Sequence, residues 1–114
     1  ASMVARNDYE RHQHERLCVK LGFGEDWVRA VEALEPDALD DPSEAVVQRL
    51  VLAALRDWGH GVETQFEAVV EQLGPEATIA LLFVIGRYLV HAMFVNTLGL
   101  RPPVPSIFDD GAHV

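Results

Sequence analysis

Three side chains near the amino terminus are spaced for proton chemistry. Glu10, His14 and Cys18 follow one another at i, i+4 and i+8, so on an α-helix they share one face. A carboxylate one turn from an imidazole orients the ring and supports its charged form, which suits it to move protons near neutral pH. A protonated His14 would in turn favour the thiolate of Cys18. The bland alternative is an exposed Glu–His pair on a solvated helix, with Cys18 as a small packing residue. His12 points away from His14 on a helix and reads as solvated.

A second polar group, Arg87, Tyr88 and His91, interrupts the most apolar stretch of the chain, Ile79 to Val95. Arg87 and His91 are again i, i+4, and a charge there needs a partner or water. Glu10 is one partner to expect. In a functional reading Arg87 holds a substrate carboxylate; in a structural one it is an ion pair inside a subunit interface.

Other chemistries find little support. Glu10, His12 and His14 lack the i, i+4 histidine pair of helical zinc sites, and one cysteine builds neither a disulfide nor a thiolate zinc site, so neither metal nor cofactor is expected. Gly22-Phe23-Gly24 reads as a helix break and not as a phosphate loop. Ser43 and Ser106 lack a nucleophile motif.

The elements that position these residues read as five helices, an all-α fold. The first spans about Val4 to Leu21, with Tyr9, Leu17 and Leu21 inward and Gly22 as its stop. The second spans Glu25 to Leu34, with Trp27, Val28, Val31 and Leu34 inward and Pro36 beyond; an acidic linker, Glu35 to Asp41, follows. The third opens on Asp41 as N-cap with Pro42 at its first position and runs through Trp58 to Gly59. Thr64 is the expected cap of a fourth helix that buries Phe66, Val69, Val70 and Leu73 and closes at Gly74. The fifth runs from Pro75 to Leu98 and ends at Gly99. It is apolar almost all round and carries Arg87 and His91, so it reads as a helix buried by the other four and by another subunit, and not as a membrane span. No strand pattern or internal repeat is present.

The 114 residues suffice for one domain. Residues 1–6 read as an extension, with Ala1 and Ser2 a tag remnant before Met3 and no signal peptide. Residues 7–100 form the helical domain, and 101–114 a Pro-rich, then acidic tail. Ile107 and Phe108 could anchor that tail on a neighbouring chain if it is ordered. Eighteen acids against nine Lys and Arg give a net charge of -9, which disfavours nucleic acid and anionic membranes and suits a cytoplasmic protein.

The run Asn7-Asp8-Tyr9-Glu10-Arg11-His12-Gln13-His14, followed by Leu17 and Gly22, resembles the Tyr-Glu-Trp-x-x-His helix of carboxymuconolactone decarboxylase-like proteins, the superfamily that includes alkylhydroperoxidase D. Tyr88, Asn96, Leu98 and Gly99 resemble its closing Tyr-x7-Asn-x-Leu-Gly pattern, and Asp41-Pro42-Ser43-Glu44 its acidic third-helix start. The likeness covers about Asn7 to Leu100, with Arg11 where the family has Trp. It implies an all-α fold that assembles into homo-oligomers, trimers, hexamers or dimers. The family's two further helices before the motif would have to come from a partner chain. The peroxidase branch uses Cys-x-x-Cys-x-x-x-His; with His14 as the histidine its cysteines fall at Asn7 and Glu10, so that chemistry is excluded.

The decarboxylase branch implies a cofactor-free lyase or isomerase on a small carboxylic acid or lactone. Glu10 and His14 would be its proton-transfer pair, with Arg87, Tyr88 and Tyr9 on the substrate and Asn96 and Cys18 as further candidates. The alternatives are a non-catalytic or partner-completed oligomeric subunit and, less well supported, a single-cysteine antioxidant.

Overall fold

The computed structural model describes residues 1–109. Its elements are α1 (Asp8–Lys20), α2 (Glu25–Glu32), a single 3-10 turn (Pro36–Ala38), α3 (Pro42–Arg56), α4 (Glu63–Leu73) and α5 (Pro75–Thr97). No strand occurs among the described residues, so the five-helix, all-α expectation holds.

Local chemistry sets the helix ends. Asn7, and not Val4, starts α1: its Oδ1 accepts from the Glu10 backbone N–H at 3.2 Å, meeting one of the four orphan donors of a first turn. Asp8 and Glu10 in that turn and Lys20 in the last complement the helix dipole. At the other end Phe23 N–H donates to the Cys18 carbonyl, a closure that needs a left-handed residue between them; Gly22 supplies it with φ +100°. Asp41 caps α3 as expected, its Oδ1 accepting from Ser43 N–H at 2.8 Å.

Several expected boundaries shift. α2 stops at Glu32 because Leu34 turns left-handed, φ 58°, before the Pro36 turn. α3 stops at Arg56, and Trp58, expected on its buried face, is left-handed and 86% exposed. The N-cap of α4 is Val62, which has no side-chain acceptor, and Thr64 falls inside the first turn.

Helix α3 packs on α4, α4 on α5, and α1 on α2. Leu50 of α3 and Val69 of α4 are fully buried at the centre, with Ala45, Ala53, Ile85, Ala92 and Val95 around them. Small residues at positions 45, 53 and 92 let these helix axes approach closely.

Three expectations about packing are overturned. The rest of the chain does not bury helix α5: its most apolar 18-residue window has mean hydropathy 1.9, yet only 22% of that window is buried. By length and composition it could cross a membrane. The other four helices are too short and too few to surround it, and α4 covers one side. Leu17 and Leu21, expected inward, are exposed, because the inward face of α1 carries Glu15. The tail packs on its own chain: Ser106 and Ile107 are buried, and the Arg29 guanidinium sits 4.2 Å from the Phe108 ring centroid. The acidic end of the expected tail, residues 110–114, lies outside the described residues.

Candidate functional site

Helix α1 holds Glu10 and His14 one turn apart, and their side chains meet: His14 Nε2 lies 3.3 Å from Glu10 Oε2. The second carboxylate oxygen, Oε1, faces His91 Nδ1 of α5 at 3.6 Å. Glu10 thus stands between two imidazoles from different helices. Tyr88, one turn before His91, sets its ring edge-on to both, with centroids 5.3 Å from His14 and 6.3 Å from His91. An edge-to-face ring restricts an imidazole without competing for its nitrogens. The Glu10 side chain is only 18% exposed, whereas His14 is 37% exposed. Carboxylate and rings can therefore pass a proton between solvent and whatever lies beyond His14.

What lies beyond it is a cavity of about 570 Å³ between α1, α2 and α3. Its walls are mostly apolar, formed by Val28, Val31, Val47, Val51 and Leu52 among others. Polar groups collect at one end: Arg11, His14, Glu15 and Cys18 from α1 and Glu32 from α2. Glu44 and Gln48 of α3 face it from another side, with Trp27 Nε1 donating to Glu44 at 3.0 Å.

Glu15 is the most deeply buried charge among the described residues, at 2% exposure. Such a group survives burial only when its lone pairs are met. Arg11 Nη1 donates to Oε1 at 3.0 Å, and Oε2 accepts from Ser106 Oγ at 2.7 Å and from Ile107 N–H at 3.0 Å. Despite burial, a hydrogen bond shared with Glu32, followed by Ser106, Ile107 and the Arg11 charge, holds its carboxyl below the usual range. Glu32 hydrogen-bonds to the same carboxylate. Burial and the Glu15 charge push Glu32 up to about 7, so the pair shares one proton near neutrality.

Two of the donors to Glu15, Ser106 and Ile107, belong to a carboxyl-terminal strap, residues 104–107, which α1 holds at two further points. His12 Nδ1 donates to the Val104 carbonyl at 3.0 Å, and Arg16 Nε to the Pro105 carbonyl at 3.1 Å. A carbonyl only accepts and a guanidinium only donates, so His12 Nε2 must accept from Arg11 Nη2, 3.0 Å away. His12 is thus a strap residue, half-buried and not solvated as its position suggested.

The other sequence candidates divide. Tyr88 joins the Glu10 cluster. Arg87 does not: the α5 partner of Glu10 is His91, and Arg87 is exposed on the outer side of α5 in a shallow apolar depression with Ile79, Leu82, Phe83, Gly86 and Val90. Tyr9 is half-buried on α1, where its carbonyl accepts from Gln13, and it does not line the cavity. Asn96 is structural, donating to the Ala5 carbonyl at 3.0 Å and so tying α5 to the amino-terminal segment. Cys18 does line the cavity, but burial and the Glu32 charge push its thiol up, the opposite of the thiolate that proximity to His14 suggested. No metal-ligand cluster of three His, Cys, Asp or Glu occurs among the described residues.

Sequence reasoning missed Glu32 and the role of Glu15. One signal was available: Glu32 follows Val28 by four residues and Val31 by one, which places it on the apolar stripe of α2. Nothing local announces its partner, because Glu15 and Ser106 are 91 residues apart.

No protein-family model, curated protein or solved structure matches this chain.

Proposed function

We propose that this chain is a helical protein of the carboxymuconolactone decarboxylase-like kind whose site moves a proton on a small lactone or related carbonyl compound without a cofactor. The observation that carries this reading is the Glu10–His14 pair, closed at 3.3 Å, with His14 reaching the wall of a largely apolar cavity. In this reading His14 takes a proton from the carbon beside the substrate carbonyl, or returns one to the enolate left when a carboxylate departs as carbon dioxide. Glu10 holds the ring in line and balances its charge, and His91 exchanges the proton with water. Apolar walls leave the carbonyl few hydrogen-bond partners beyond the protein's own donors. With Arg87 on the outer side of α5, the lining acids favour a neutral lactone or ketone over a free carboxylate.

The test is isomerisation of α-angelica lactone, a small unsaturated γ-lactone, to its conjugated isomer, followed by ultraviolet absorbance. His14→Gln should cut turnover about 100-fold or more while helicity is kept. A folded His14→Gln protein with full turnover, or a wild-type protein with none, removes the proposal.

A second reading concerns assembly. Phe83, Met93, Phe94 and Leu98 of α5 are exposed, Phe83 to 77%. Such a face calls for a cover. Arg87 lies midway along it, and an arginine at the centre of a bilayer costs about 2.5–3.5 kcal/mol by insertion scales. A second copy of this acidic chain, which offers carboxylates to Arg87, is the better cover.

A further inference from the structure

We infer that the cavity between α1, α2 and α3 is a binding site for a neutral, largely apolar carbonyl compound, and that the Glu32 carboxyl is the hydrogen-bond donor that selects its carbonyl oxygen. This rests on the proton-transfer reading only for the use made of the bound molecule; the binding itself is measurable without turnover.

Three observations converge. The cavity, about 570 Å³, has room for a small ring compound, and its walls are mostly aliphatic. Glu32 stands in that wall. Its present partner, Glu15, already accepts from Arg11, Ser106 and Ile107, so turning the Glu32 O–H toward a ligand leaves no buried carboxylate unmet.

A carboxyl kept protonated in an apolar setting is an effective donor to a carbonyl oxygen, and the donation strengthens as negative charge grows on that oxygen during proton removal. Glu32 would then act alongside His14: one polarises the carbonyl, the other handles the carbon-bound proton. The charged and titratable groups around Glu32 are Glu15, Arg11, His14 and Cys18 on α1, Arg29 on its own helix, Glu44 on α3, and the Ala1 ammonium. Burial lowers the Ala1 ammonium, and burial with the Glu32 charge raises the Cys18 thiol, so the Glu32 variants serve to separate its effect from theirs.

The experiment uses three ring compounds of equal size, indane, indanone and aminoindane, titrated calorimetrically into the full chain. At about pH 6 indanone should bind roughly tenfold more tightly than indane, the effect of one hydrogen bond. By about pH 8.5, with Glu32 ionised, the two should agree within about twofold. Glu32→Gln, whose amide donates at every pH, should keep the preference at both values, and Glu32→Leu should abolish it at both. Equal affinity of indane and indanone at the lower pH, or a preference that survives Glu32→Leu, overturns the inference. Tighter binding of aminoindane than of indanone at the higher pH also overturns it and makes the cavity a cation site. These outcomes are independent of lactone turnover, so either claim can fail alone.

Discussion

Glu32 makes folding respond to pH in an unusual direction. Its ordinary value of 4.5 rises to about 7 in the folded chain. Between those values the folded chain holds a proton that the unfolded chain has released, so stability is full below the lower value and falls as pH rises through the higher one. Glu15 works the other way: its lowered value stabilises the fold above the ordinary range, and that contribution is lost on acidification. The two contributions overlap only in mildly acid solution. Glu32→Gln should remove the alkaline decline, leaving the variant more stable than the wild type at about pH 8 by on the order of 1–2 kcal/mol. Thermal melts across that pH range check this; a wild-type melting temperature that does not fall toward alkaline pH contradicts it.

The elements follow their local signals closely where those signals are chemical. Asp41 with Pro42, and the glycines at positions 22, 74 and 99, mark helix ends that the structure keeps. The errors arose where an apolar residue continued a periodic pattern after the backbone had left the helix. Trp58 continues the α3 stripe in sequence, yet it adopts φ 54° and points into solvent. A bulky side chain in that region carries strain that glycine does not. Trp58→Gly should therefore leave stability unchanged or raise it by up to about 1 kcal/mol, measured by urea titration; a loss of more than about that much would mean that Trp58 makes a contact absent from this fold. The Glu10–His14 pair was legible because i, i+4 neighbours on a helix meet whatever surrounds them. His91 joining them, and Glu32 meeting Glu15, depend on how separate helices are placed, which no local spacing encodes.

At the scale of the molecule the chain measures 45 × 33 × 21 Å, an elongated arrangement in which α5 forms one flank. A closed bundle would have hidden that helix, and the periodicity of its sequence gave no reason to expect otherwise. The outcome argues for a second copy on the α5 face, since the aromatic residues there stand in solvent in a lone chain. Phe83→Glu should convert an assembled wild-type protein to a monomer with its helix content intact, read by size-exclusion chromatography with light scattering. A wild-type protein that is already a monodisperse monomer without detergent would remove the case for that interface.

The strap that meets Glu15 also fixes an order of events. On the ribosome, α1 emerges long before residues 104–107, the partners lying some 91 positions further along. Until those residues appear, Glu15 lacks two of its donors and stays hydrated, so α1 cannot take its final seat early in synthesis. Residues 104–107 follow α1 and α2 in synthesis, and it is they that let α1 dehydrate.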